Sequence, residues 1–269
     1  MSKSGKAIPK LVWTLPSLKS TKQPSSLEAR TIVVHRGSLV LNHDTSFRSE
    51  KQLLGPEKAL INSFVVNRPF PIPKNQLATI FVEPRIESGY PDLVIVLTEH
   101  KRLKHWNPER DYLVPDDFRL LHLLVGTGKK TNGELNQYLG RQGQTSAHRL
   151  KSAGLVTFHH NQWSVRRPGR VFLSSEIIAV EAKTAEWSRV ISQAHLNTWF
   201  ASRSIILVGS RKHGETLAGR VRGLGLGVWT YGDSEFRQRL RGARFLQPRS
   251  YVSCLFDHWA CRVHKAFVK

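Results

Sequence analysis

Two short runs set an acid at the edge of a β-branched apolar stretch: Gly89-Tyr90-Pro91-Asp92-Leu93-Val94-Ile95-Val96 and Ile177-Ile178-Ala179-Val180-Glu181-Ala182-Lys183. Strand geometry sends residues i and i+2 to one face. Glu181 and Lys183 therefore project together, while Ala182 points the other way. If the two strands are neighbours, Asp92 joins them, giving two carboxylates and an ammonium around one point. Such a group binds a divalent cation, Mg²⁺ or Mn²⁺, and activates water for phosphodiester cleavage. Asp92 and Glu181 hold the ion, the Ala182 carbonyl is a further ligand, and Lys183 orients the nucleophile or steadies developing negative charge. Taken singly, each acid reads as an ordinary polar strand end.

The surrounding pattern supplies elements to position these residues. Thr31-Ile32-Val33-Val34 and Ser38-Leu39-Val40-Leu41 suggest a hairpin turning at Arg36-Gly37. Gly55-Pro56 opens a helix with Glu57 in its first turn and Leu60, Ile61, Phe64 and Val65 as its apolar stripe. Three prolines between Arg68 and Pro73 stop it. Strands follow over 78–83 and 93–98. Beyond Lys183 the spacing predicts a helix over 187–201, a strand over 205–208, a helix over 214–224 and a strand over 228–231. This βαβαβ run implies a mixed sheet.

Between the two acidic strands lies a segment of different character. Asp116-Asp117 caps a helix carrying Phe118, Leu120, Leu121 and Leu124, and Thr131-Asn132-Gly133-Glu134 starts a second. Gly140 and Gly143 read as a turn, after which Thr145-Ser146 starts a third helix that ends at Gly154. Residues 155–158 and 163–165 then form a hairpin about His160-Asn161. Three helices followed by such a hairpin resemble a winged helix-turn-helix. That resemblance puts Gln144, Thr145, Ser146, His148, Arg149 and Lys151 at base edges, with His160 at the wing tip. Arg166, Arg167 and Arg170 then meet phosphates. Nine Lys/Arg against three Asp/Glu over 115–172 agree with a DNA-facing role; a solvated basic face on a protein-docking module is the other reading.

Pro91-Asp92 and Glu181-Ala182-Lys183 resemble the signature of the PD-(D/E)XK nuclease superfamily. The likeness covers roughly residues 55–99 and 175–232. It extends to a glutamine-bearing helix at Gln193-Ala194, a strand at 203–208 and a Gly225-Leu226-Gly227 approach to a last short strand. It implies a restriction-endonuclease-like α/β fold, a mixed sheet flanked by helices and interrupted by an inserted winged-helix domain. Glu57 stands where that superfamily often places a helix glutamate near the metal; otherwise it simply complements the helix N-terminus. Gln193 would hold a phosphate or orient the lysine. The resemblance also implies cleavage to a 5′-phosphate and a 3′-hydroxyl. Transposon-end nucleases also join such a core to a winged helix, which there follows the core instead of interrupting it.

Composition bounds the partner. The chain has 269 residues, with 41 Lys plus Arg against 20 Asp plus Glu, a net charge of +21. Charge of that size, spread along the chain, favours a polyanion, duplex DNA first. No apolar run approaches the roughly 20 residues needed to span a bilayer, and two cysteines give no disulfide framework. The acid-free first 27 residues hold five lysines and no apolar signal core, so a basic arm on phosphates and a cytoplasmic or nucleoid-associated location are expected. Two patterns are declined. Gly126-Thr127-Gly128-Lys129 lacks the first glycine of a phosphate loop. Cys254, His258, Cys261 and His264 lie along one helix face, which cannot surround a tetrahedral zinc.

The expected organisation is a basic N-terminal arm over 1–49, a nuclease core over 50–111 and 173–232, the insertion over 112–172, and a basic C-terminal extension over 233–269. The expected function is a metal-dependent DNA endonuclease in phage defence, restriction, recombination or transposition, paired with itself or a second subunit for double-strand cutting. The alternatives are a silent DNA-binding regulator or scaffold, and a resolvase of branched DNA.

Overall fold

The run Leu93–Leu97 is buried throughout. An antiparallel strand tolerates that only with layers packed on both of its faces. A computed structural model describes residues 30–34, 55–86, 89 and 91–267 and shows both layers. The chain begins with β1 (Thr31–Val34), α1 (Pro56–Asn67), β2 (Gln76–Val82) and β3 (Leu93–Glu99). After two 3₁₀ turns come α2 (Pro115–Thr127), α3 (Asn132–Leu139), α4 (Arg141–Ser152), β4 (Val156–His159), β5 (Gln162–Val165) and the short α5 (Pro168–Val171). The core then resumes with β6 (Ser174–Lys183), α6 (Trp187–Asn197), β7 (Arg203–Val208), α7 (Arg211–Val221), β8 (Gly227–Gly232), β9 (Glu235–Leu240) and α8 (Tyr251–Phe267).

Seven strands make one mixed sheet in the order β1-β2-β3-β6-β7-β8-β9, while β4 and β5 form a separate hairpin. β3 and β6 are antiparallel neighbours, and β6, β7 and β8 run parallel. Alternation along β6 sorts its side chains. Ile178, Val180 and Ala182 pack with Leu60, Ile61 and Phe64 of α1 on one face. Ile177 and Ala179 pack with Phe256 and Trp259 of α8 on the other.

Several expectations change here. The edge strand β1 pairs in parallel with β2; the rest of the expected hairpin, and the basic arm, lie outside the described residues. The stretch from 233 onward is no appended extension. It supplies the strand β9 and the helix α8, whose Val252, Leu255, Phe256, Trp259, Ala260 and Val263 are all buried. Its basic residues disguised a helix whose large apolar side chains each contribute roughly 1.5–3 kcal/mol when buried.

The insertion also shares the main core. Phe118, Leu120, Leu124, Leu135, Ala147, Leu150 and Trp163 join Val94, Val96 and the α8 residues in one cluster. Its third helix starts at Arg141, not Thr145, because Gly143 is a packing residue and not a turn. A Cβ there would stand 2.8 Å from the Leu135 carbonyl oxygen, so only glycine lets α3 and α4 approach this closely. Lys130 and Trp163 exchange backbone hydrogen bonds of 3.0 and 2.7 Å, tying the hairpin to the α2–α3 connection. Among the described residues no helix is long and apolar enough to cross a membrane.

Candidate active site and nucleic-acid interface

Register decides whether the two acidic runs meet. Leu93 pairs with Val180 and Val94 with Ala179, so Asp92, one residue before β3, stands beside Glu181. Val94 and Val96 pack on the α8 face, and alternation puts Asp92 on that same face with Glu181 and Lys183. The Ala182 amide donates to Asp92 Oδ2 at 2.7 Å. A strand residue points its N–H and C=O to the same side, so the Ala182 carbonyl also faces the Asp92 side. All three side chains are largely withdrawn from solvent: Asp92 is 7 %, Glu181 2 % and Lys183 8 % exposed.

Each charged group is aimed by a neighbour. Glu181 Oε1 accepts a 2.7 Å hydrogen bond from Asn197 Nδ2 at the end of α6. Hydrogen bonds to charged groups are worth about 1.5–3 kcal/mol, enough to fix the carboxylate's direction. Lys183, the last residue of β6, donates to Glu57 Oε2 at 2.7 Å. Glu57, expected near the metal, thus holds the lysine. Ser204 Oγ donates to the Ala194 carbonyl at 2.6 Å, seating α6 against β7.

Asn197 is the residue that sequence reasoning missed. The signal was its position one turn after Gln193, on the same helix face. A helix linking two parallel strands runs back against them, and four helical residues rise about 6 Å. Two strand residues cover about 6.6 Å, so with Asn197 level with Glu181, Gln193 lies level with Lys183. Gln193 Oε1 is buried and, among the described residues, has no hydrogen-bond partner.

The donor set fits a hard divalent cation: two carboxylates and a carbonyl around one strand junction, with waters completing the shell as Mg²⁺ prefers. Among the described residues no three His, Cys, Asp or Glu side chains gather into a metal cage. The set therefore suits an ion that keeps much of its water. Along α8 both histidines have neighbours of their own. His264 Nε2 lies 2.9 Å from Thr79 Oγ1, and the His258 ring packs against Trp106 and Phe118. Burial pushes both cysteine thiols up and both histidines down. Asp257, between them, accepts from the Leu173 and Ser174 amides at 2.9 and 2.6 Å, tying α8 to the start of β6.

On α4 the expected DNA contacts divide. Thr145, His148 and Lys151 are exposed, and Arg141 and Gln142, missed because the helix starts earlier, continue that face. Ser146 is 1 % exposed and accepts from Arg149 Nη2 at 3.3 Å. Arg149 forks onto Asp117 at 2.7–3.1 Å, and those hydrogen bonds hold its guanidinium further into the charged form. These two pin α4 to α2. Gln144 donates to Asn136 at 3.2 Å. His160 and Asn161 take left-handed conformations at φ 49 and 60° in the hairpin turn. Arg166, Arg167 and Arg170 are exposed beyond it.

Comparison with family models, curated proteins and solved structures finds no match to this chain.

Proposed function

We propose that the protein is a metal-dependent DNA endonuclease of restriction-endonuclease-like fold, with the α2–β5 segment acting as a winged-helix DNA reader. One observation carries the reading: the register that brings Asp92, Glu181 and Lys183 to one face at the β3–β6 junction, with Ala182 bonded to Asp92. Mg²⁺ held by Asp92, Glu181 and the Ala182 carbonyl would supply charge neutralisation at the phosphate and a more acidic water. The rest falls to the chain. Asn197 keeps Glu181 aimed, Glu57 keeps Lys183 at the site's edge, and the Lys183 ammonium steadies charge on the phosphate oxygens. Water adds to phosphorus, the P–O3′ bond breaks, and the proton ends on the 3′-hydroxyl. One such site cuts one strand, so duplex cleavage calls for two copies or a partner, in a cytoplasmic or nucleoid setting.

The Lys183–Glu57 pair and the small carboxylate count favour a second reading, a chain that binds DNA without cutting. Supercoiled plasmid separates the two. With Mg²⁺ or Mn²⁺ the wild type should nick it, and Asp92→Ala, Glu181→Ala and Lys183→Ala should each abolish nicking while retaining DNA affinity, which rests on the other basic residues. A wild type that binds and never nicks establishes the silent reading.

A further inference from the structure

Beside the end of β6, the start of α6 and the last turn of α7, through Arg220, border an open groove of about 410 Å³ lined by Glu186, Trp187, Ser188, Arg189 and Arg220. Trp187 follows Lys183 by four residues. Its indole rests on the α6–α7 core and meets the His213 ring at 5.1 Å and 50°. Arg189 is 61 % exposed and touches Glu186 only at 3.4 Å, an arrangement worth little to stability. Gly214 brings α7 hard against β8: a Cβ there would lie 2.0 Å from Thr230 Cγ2. The first turn of α7 also carries the exposed Arg211 and Lys212, where the helix dipole disfavours positive charge. Arg211 meets Glu215 one turn on at 3.3 Å, with both side chains exposed, again a contact worth little to stability.

An aromatic plane flanked by arginines is how proteins hold single-stranded nucleic acid, because every base offers a π-face once it leaves the duplex stack. We propose that this groove takes one unpaired nucleotide of the DNA strand beside the cut, its base against Trp187 and its phosphate between Arg189 and Arg220. The proposal rests on the DNA reading above and narrows the substrate to duplexes that are frayed, flapped or branched near the cleaved bond. An acidic peptide would use the arginines but have no need of the indole.

The test measures binding without divalent metal, so it is independent of cleavage. Fluorescence anisotropy is read on a short labelled oligothymidine and on a blunt duplex. Trp187→Leu keeps the apolar packing and should weaken oligothymidine binding at least about fivefold through lost stacking, leaving the duplex within about twofold. Trp187→Phe keeps a ring and should restore affinity, which controls for folding. Arg189→Gln with Arg220→Gln should reduce the oligothymidine salt slope by about 0.7, the share of the one phosphate they hold. Equal losses on both probes, no loss on either, or a wild type that binds only duplex overturns the groove while the endonuclease reading stands. A wild type that shows these binding changes yet never nicks DNA overturns the endonuclease reading instead.

Discussion

A carboxylate serves a metal only when its oxygens are aimed, and Glu181 is aimed by the amide of Asn197 at 2.7 Å. Asn197→Ala leaves the acid in place and removes its orienting donor. Losing such an outer partner costs on the order of 10–100-fold in metal affinity or rate. The variant should therefore cut slowly at low Mg²⁺ and recover partly as Mg²⁺ is raised. A titration of nicking rate against Mg²⁺ checks this; a wild-type curve would show that Asn197 only seats the helix. Asp92, Glu181 and Lys183 were legible in the sequence because strand alternation is a local rule. Asn197 was not, because its partnership depends on how α6 rotates over β6.

The helix α4 shows how one misplaced boundary reassigns side chains. With its start at Arg141, the inward face takes Ser146, Ala147 and Leu150, and Arg149 leans onto the buried Asp117. Asp117 also accepts the Val114 amide at 2.9 Å, capping α2. Arg149→Ala should lower stability by about 2 kcal/mol, since it strips charge-assisted hydrogen bonds from a carboxylate that stays buried. Thr145→Ala with Lys151→Ala, on the exposed face, should leave the melting temperature unchanged and weaken DNA binding. Thermal melts and binding titrations of the two variants test the division of labour. If Arg149→Ala melts like wild type and alone alters site preference, the arginine reads bases after all.

For the molecule as a whole, the insertion and the sheet stand or fall together. Phe118 packs on His258 with ring centres 4.9 Å apart, and the insertion's apolar residues share a cluster with Val94, Val96 and Trp259. Replacing residues 112–172 by a short Gly/Ser bridge should therefore leave an unfolded or aggregating core, which circular dichroism would reveal. A folded, cutting core would show the shared cluster to be dispensable. Acid should act on the same region. Burial, helped by His100, pushes His264 down to about 4, whereas the unfolded side chain titrates near about 6.5. From about 6.5 downward the unfolded chain takes up a proton that the folded one refuses. Stability is thus fully present above that pH and falls by about 3 kcal/mol on approach to the folded value. His258 shifts the same way through burial, while Asp257, raised by burial, opposes it. Urea unfolding at about pH 7 and about pH 5 should show the loss, and His264→Gln should flatten it; parallel curves would exonerate the histidine.

By itself the sequence determined the strands, the helices and the two acidic runs, because apolar periodicity, prolines and capping residues act within a few positions of themselves. It also determined a large positive charge, which needs no fold to be counted. What only the tertiary structure decided was partnership. The β3–β6 register sets Asp92 beside Glu181, and Glu57 closes on Lys183 across 126 positions of sequence. A basic-looking C-terminus proves to be a central helix. Gly143, which reads as a breaker, sits in the first turn of α4 because α3 needs the space its missing side chain leaves. Each of these depends on a neighbour far away in the chain, and residue patterns carry no distance across that gap.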